Sequence, residues 1–203
     1  MIIETDRLIL RRFDLSDLDE FAPIMADADV MRFSKSGPWT RERTEEFLQQ
    51  CQVDYSEARW GYGRLAAVQK TDQRVIGFAG LARFDDVDGS PEVEIGYRLH
   101  PEFWGRGLGT EAAAASRDHG FGDLGMTRLI SLIQPENVAS VRVAEKIGMS
   151  CEKGIRQWDL DLRVYVISGT AAQLAHAADA RRCHVSCIRT HRATLHSRLI
   201  RGC

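Results

Sequence analysis

The sequence predicts an α+β fold built on one mixed sheet. Strand-like and helix-like segments follow one another in the order β-α-α-β-β-β-α-β-α-β-β, a mixture that packs as helices against a sheet. Residues 92–99 alternate with the period of a strand: Val93, Ile95, Tyr97 and Leu99 share one face, and Glu92, Glu94, Gly96 and Arg98 the other. Directly after them a glycine-rich turn gives way to an alanine run, so a strand hands over to a helix. With 203 residues, the chain is long enough for one domain with a proper core and short for two.

The elements follow in order. Residues 7–13 are short and apolar and read as a strand. Residues 14–17 are turn-like, and Ser16 is placed to cap a helix over 17–27 whose apolar face is Leu18, Phe21, Ile24 and Met25. Thr40 is a second N-cap candidate, with Phe47, Leu48 and Cys51 at helical spacing behind it. Strands are expected over 63–70 and 75–84, paired as a hairpin, then a polar turn over 85–91 and a strand over 92–100. A helix starts in the alanine run and stops near His119 and Gly120. A buried strand follows over 128–133. Asn137 opens another helix with Val138, Val141, Ala144 and Ile147 as its stripe and Gly148 as its stop. Two last strands lie near 152–158 and 161–168.

Composition narrows the function classes. A hydrophobic fraction of 44% and a charged fraction of 28% are ordinary for a globular protein. A net charge of −2 gives no general attraction to nucleic acid or an anionic membrane. No apolar run approaches the ~18 residues of a membrane span, and the early acidic residues Glu4 and Asp6 argue against a secretory leader; a cytoplasmic location is expected. The five cysteines form no secreted disulfide framework. Charge is uneven. Residues 1–169 carry 21 basic and 28 acidic side chains, whereas residues 170–203 carry six arginines, one aspartate and four of the six histidines. A boundary is therefore expected at 169/170.

The segment Gly105-Arg106-Gly107-Leu108-Gly109-Thr110 lies between a strand and a helix. Its glycines let backbone N–H groups turn toward a ligand, and the helix start adds unpaired donors and the positive end of its dipole. Together these suit a diphosphate, with Arg106 available for a charge-assisted contact. A tight turn with no ligand is the bland alternative. A P-loop is excluded because no Gly-Lys-Ser/Thr triplet occurs. A dinucleotide fold is disfavoured because the glycines come after a hairpin and not at the first strand.

These residues resemble a known family. Trp104-Gly105-Arg106-Gly107-Leu108-Gly109 is similar to the Arg/Gln-x-x-Gly-x-Gly/Ala acetyl-CoA loop of the GNAT N-acetyltransferases, with Trp104 in the first position as in the branch of ribosomal-protein-alanine N-acetyltransferases. Residues 4–11, 94–97, 110–112 and above all 137–149 resemble the same branch, so the likeness covers about residues 3–168. It implies a mostly antiparallel central sheet flanked by helices, with the fourth and fifth strands (here 92–100 and 128–133) splayed to admit pantetheine. It implies acetyl-CoA as cosubstrate, residues 1–169 as the acetyltransferase domain, and Leu99, Trp104, Gly105, Arg106, Gly107, Leu108, Gly109, Thr110 and Asn137 as cofactor-binding. By the same analogy Glu94 is the candidate general base, against a plain pairing with Arg98. Ser140 is the candidate proton donor to the thiolate, because the tyrosine that many members carry at this point is Ala144 here. Asn137 can also be a simple N-cap. Asp159 and Asp161 are weaker candidates for the acceptor amine, and Trp39, Trp60 and Trp104 for lining its side.

The expected function is acetyl transfer from acetyl-CoA to a primary amine, on a protein N-terminus or a small molecule, by direct attack in a ternary complex. The acidic body mildly favours a cationic acceptor. The competing class is a non-catalytic acyl-CoA sensor or partner-binding module. A third class rests on the tail, where Cys183, Cys187, His191 and His196 are zinc-type ligands. Their central gap is too short to wrap one tetrahedral site, so no metal is expected. Neither nucleic acid nor membrane is an expected partner, and a homodimer is compatible with the sequence.

Overall fold

The structure is a computed structural model that describes residues 2–56 and 63–170. Trp60 and the Cys/His-rich tail lie outside the described residues. Among the described residues eight strands form one sheet in the order β1-β2-β3-β4-β5-β6-β8-β7. They are β1 (Ile2–Glu4), β2 (Leu8–Arg11), β3 (Arg64–Gln69), β4 (Val75–Val87), β5 (Ser90–Leu99), β6 (Arg128–Ile133), β7 (Ser150–Gln157) and β8 (Leu160–Ser168). All neighbours are antiparallel except β5 and β6, which are parallel. The helices are α1 (Leu18–Ala26), α2 (Ala28–Met31), α3 (Arg41–Ser56), α4 (Leu108–Gly122) and α5 (Val138–Lys146). The mixed, mostly antiparallel α+β sheet expected from the sequence is the one observed.

Local differences have local causes. The first strand is split: a turn at residues 5–7, in which Thr5 Oγ1 accepts from the Leu8 N–H at 2.9 Å, folds Ile2–Glu4 back onto Leu8–Arg11. Asp14, not Ser16, starts the next segment. Its carboxylate accepts from the Ser16 N–H while Asp17 accepts from the Asp14 N–H, a reciprocal box around a short 3-10 turn. The polar stretch 85–91 is mostly strand, because β4 and β5 continue to a tight turn at Asp88 and Gly89, both with positive φ. Val138 is 52% exposed, so the α5 stripe starts at Val141. Thr40 does cap α3, accepting from the Arg43 N–H at 3.2 Å.

Each sheet face has its own core. On the first, α1 and α3 cover β3 and β4, and the rings of Phe13, Phe21, Phe47 and Phe78 cluster with centroids 4.7–6.4 Å apart. On the second, α4 and α5 lay Ala113, Phe121 and Ala144 on Ile95, Leu129 and Ile133. The alternation read in residues 92–99 thus divides β5 between the two layers. Phe78 lies opposite Arg98 in the β4–β5 pair, which puts Arg98, Glu94 and Gly96 on the first face.

Gly77 lies opposite Leu99, where a Cβ would stand 2.0 Å from the Arg98 carbonyl oxygen. Gly77→Ala therefore forces backbone apart at the end of β5, and denaturant unfolding should show a loss of about 3 kcal/mol.

Candidate active site

The site begins where the sheet comes apart. β5 and β6 pair only at Glu94 opposite Ile130. One residue further, the Ser131 hydroxyl donates to the Ile95 carbonyl at 2.9 Å, and the Leu132 N–H donates to the Glu94 carboxylate at 3.2 Å. Side chains thus take the partners that the next rung would use, and the strands separate. The His100 N–H still bonds the Ile76 carbonyl of β4 at 2.8 Å. By alternation the backbone groups of Tyr97 and Leu99 point away from β4, toward the gap. The Leu99 carbonyl already accepts the Trp104 indole N–H at 2.7 Å, which leaves its N–H facing the opening.

Beside the gap lies the glycine-rich turn. Gly105 and Gly107 have φ of +72° and +79°, a conformation that glycine adopts without strain. Gly107 is the N-cap of α4 and has no side chain to cap it, so the first-turn N–H groups of the helix face the cleft. Gly109 lets the Tyr97 ring approach, since a Cβ there would sit 3.1 Å from the ring. Arg106 is exposed and stacks over Phe103 at 5.6 Å from the ring centroid, outside the cleft lining.

A clamp from the N-terminus holds this turn. Glu111, in the first turn of α4, accepts from the Thr5 hydroxyl at 2.6 Å, the Arg7 N–H at 2.8 Å and the Arg7 guanidinium at 2.7 Å. The same guanidinium donates to the Arg106 carbonyl at 2.8 Å. Burial raises the Glu111 pKa, but the bonds from Thr5 and Arg7 outweigh it and hold the carboxyl below the usual carboxylate range.

Both features open into one cleft of about 650 Å³. It is lined on the gap side by Trp104, Gly107, Thr110, Asn137 and Ser140, and on the first sheet face by Trp39, Phe78, Arg64, Glu94 and Arg98. The Asn137 side-chain oxygen caps α5 through the Ser140 N–H at 3.2 Å, so capping leaves its amide N–H₂ for a ligand. The Tyr97 hydroxyl donates to Ser140 Oγ at 3.4 Å. Burial raises the Tyr97 pKa against that bond, which keeps the phenol protonated. Burial also pushes the Glu94 carboxyl up, against Arg64, the Leu132 N–H and Arg98, which pull it down.

The cleft therefore gathers Glu94, Leu99, Trp104, Gly105, Gly107, Leu108, Gly109, Thr110, Asn137 and Ser140. It does not gather Arg106. Asp159 and Asp161 also stand apart, in or beside the β7–β8 turn, and Asp161 pairs with Arg156 at 3.0 Å. By alternation Tyr97 belongs to the apolar face, and nothing local signals its reach to Ser140, 43 positions on. Arg64 and Arg98 meet across strands, which spacing along the chain does not reveal.

Glu111→Ala removes the clamp and should cost about 2 kcal/mol near neutral pH. A carboxyl with a depressed pKa stabilises the fold above its unfolded value and loses that contribution as pH falls through the folded one. Thermal unfolding of the pair should therefore converge in acid.

Relatives share this architecture. A family profile described as "Acetyltransferase (GNAT) domain" matches residues 7–150. Uncharacterized protein YkkB of Bacillus subtilis (strain 168) is 35% identical over 164 residues, covering 79% of this chain and 92% of its own length. Spermidine N(1)-acetyltransferase of Escherichia coli (strain K12) is 28% identical over 149 residues, 70% of this chain and 73% of its own. The crystal structure of a GNAT-family acetyltransferase from Bacillus anthracis superposes with a TM-score of 0.69 at 28% identity, covering 83% of this chain and 98% of the other. A strand pair that parts beside an uncapped glycine-rich helix start, within a sheet of this order, accords with those matches: the chain belongs to the GNAT acetyltransferase family.

Proposed function

We propose that the protein is an acetyl-CoA-dependent N-acetyltransferase that acetylates a primary amine directly, in a ternary complex. The observation that supports it best is the meeting, in one cleft, of the β5–β6 gap, the uncapped α4 N-terminus and the Glu94 carboxylate. Acetyl-CoA supplies an activated thioester. The residues present fit it. The Leu108, Gly109 and Thr110 N–H groups and the α4 dipole suit its diphosphate. The backbone groups of Tyr97 and Leu99 that β6 leaves unpaired suit the amides of its arm. The Asn137 amide lies on the other wall.

The chemistry needs a proton removed, a carbonyl polarised and a thiolate stabilised. Glu94 takes the proton that the attacking amine loses as the N–C bond forms. The Leu99 N–H is a donor for the oxygen on which charge develops. The Ser140 hydroxyl, backed by Tyr97, donates to the sulfur as the C–S bond breaks. This hydroxyl pair fills the role left open by Ala144. The E. coli relative named for spermidine supports an amine as acceptor. The acetyltransferase unit in this reading is residues 1–169, with 170–203 an adjunct.

Thiol release from acetyl-CoA, followed over a panel of amines and N-terminal peptides, tests this. Glu94→Gln should lower kcat by about 10²–10⁴-fold. Because burial raises the Glu94 pKa, kcat/KM should climb with pH along a limb above the ordinary carboxylate range. A raised carboxyl favours the fold below its pKa and opposes it above; Glu94→Gln should then keep or gain thermal stability at neutral pH while losing turnover. Ending the chain at Gly169 should leave turnover intact. Absence of turnover on every amine would reject the reading.

A further inference from the structure

Among the described residues the first-face half of the cleft carries three arginines, although the body of the protein is acidic. Arg64 and Arg98 come from β3 and β5, and each guanidinium lies 5.9 Å from the centroid of the same Phe78 ring. Arg32 lines the same cleft. The acidic groups in the lining, among the described residues, are Asp29 and Glu94, and Glu94 is the one beside the two arginines. Among the described residues Glu94 is the acidic group that offsets the charge of Arg98, and it offsets nothing when it carries a proton.

Arg98 is the informative member. It is partly buried on the first face of β5, two residues beyond Gly96, whose missing side chain leaves room for the Glu94 carboxylate, 3.5 Å from where a Cβ would stand. Among the described residues no carboxylate forms an ion pair with Arg98 and no acceptor hydrogen-bonds its guanidinium. Its nitrogens are not sealed from the cleft either. Burial and the neighbouring Arg64 both disfavour its charge, and Glu94 only partly offsets them. A guanidinium has five N–H donors in a planar fork that matches an oxyanion. Holding that fork half-desolvated next to a like charge costs free energy, which an anion entering the cleft would recover.

We propose that the acceptor is a primary amine that also carries an oxyanion, of the amino-carboxylate or phosphorylated-amine class, seated on Arg98 with its amine toward Glu94. A polycation such as spermidine would bring like charge to the same surface. Such an acceptor runs against the mild preference for a cation suggested by the acidic body, because a net charge averaged over the surface says nothing of one concave wall. Along a strand, Glu94 and Arg98 have α-carbons about 13 Å apart. The Glu94 carboxylate leans into that span over Gly96, so the amine and the oxyanion are separated by fewer bonds than the backbone distance alone would require.

The inference rests on the acetyltransferase reading, and the experiment separates the two. Intact protein is assayed with acetyl-CoA against glycine, β-alanine, 4-aminobutyrate and 5-aminopentanoate, their amides, O-phosphoethanolamine, putrescine and spermidine. The oxyanion-bearing amines should exceed their amides and the polyamines by about tenfold or more in kcat/KM. The chain-length series should peak at a longer spacer, and the phosphorylated amine reports whether carboxylate or phosphate is preferred. Arg98→Gln should collapse the carboxylate-to-amide ratio toward one, chiefly through KM. Should that variant fold poorly, amine-free valerate should still compete with the acceptor, and not with acetyl-CoA, on the unaltered protein. Equal turnover of carboxylates and amides, or preference for polyamines, overturns the anionic acceptor and leaves the acetyltransferase standing. No turnover of any amine rejects both.

Discussion

A parallel strand pair ordinarily continues its ladder once in register; here it is stopped by two side chains. Ser131 takes the Ile95 carbonyl and Glu94 takes the Leu132 N–H, so the rung after Glu94–Ile130 does not form. Everything at the site follows from that substitution. The gap leaves backbone donors at Tyr97 and Leu99 without a strand partner. It joins the two sheet faces in one cleft. It also puts a carboxylate at the point of divergence, in surroundings that disfavour its charge.

The opening needs rigid walls, and the two cores supply them. The phenylalanine cluster under α1 and α3 fixes the first face, and Phe121, Leu129 and Ala144 fix α4 and α5 on the second. The cleft between is less well satisfied: a raised carboxyl at Glu94 and a lowered guanidinium at Arg98 both express charge held out of water. Free energy gained in the packed layers offsets this, a common division between scaffold and site.

Much of this was legible in the sequence because its signals are local. Glycines followed by an alanine run announce a strand-to-helix turn, Asn137 and Thr40 announce caps, and the alternation at 92–99 assigns faces to β5. Other parts were legible only through family likeness, the gap above all, since no spacing rule says where a ladder will stop. The rest depends on tertiary meetings. A three-residue edge strand such as Ile2–Glu4 is too short to show a period. Asp14 and Ser16 are both good caps, and Asp17 decided between them by completing the reciprocal pair. Arg106 is a phosphate-ligand candidate by position, and its stacking over Phe103 is a contact that position alone does not reveal. Arg64, Phe78 and Arg98 come from three strands and become a group only when the sheet forms.

The clamp on the glycine-rich turn bears on how the molecule assembles. Thr5 and Glu111 are 106 positions apart, yet their bond and those of Arg7 fasten the helix start that faces the cleft. A contact of that span closes late, because the loop entropy it removes must be met by the elements already packed between its ends. A growing chain emerging from the ribosome would have its first strand long before the residue that receives it. The glycine-rich turn is therefore fastened only once the elements between residues 7 and 111 have packed.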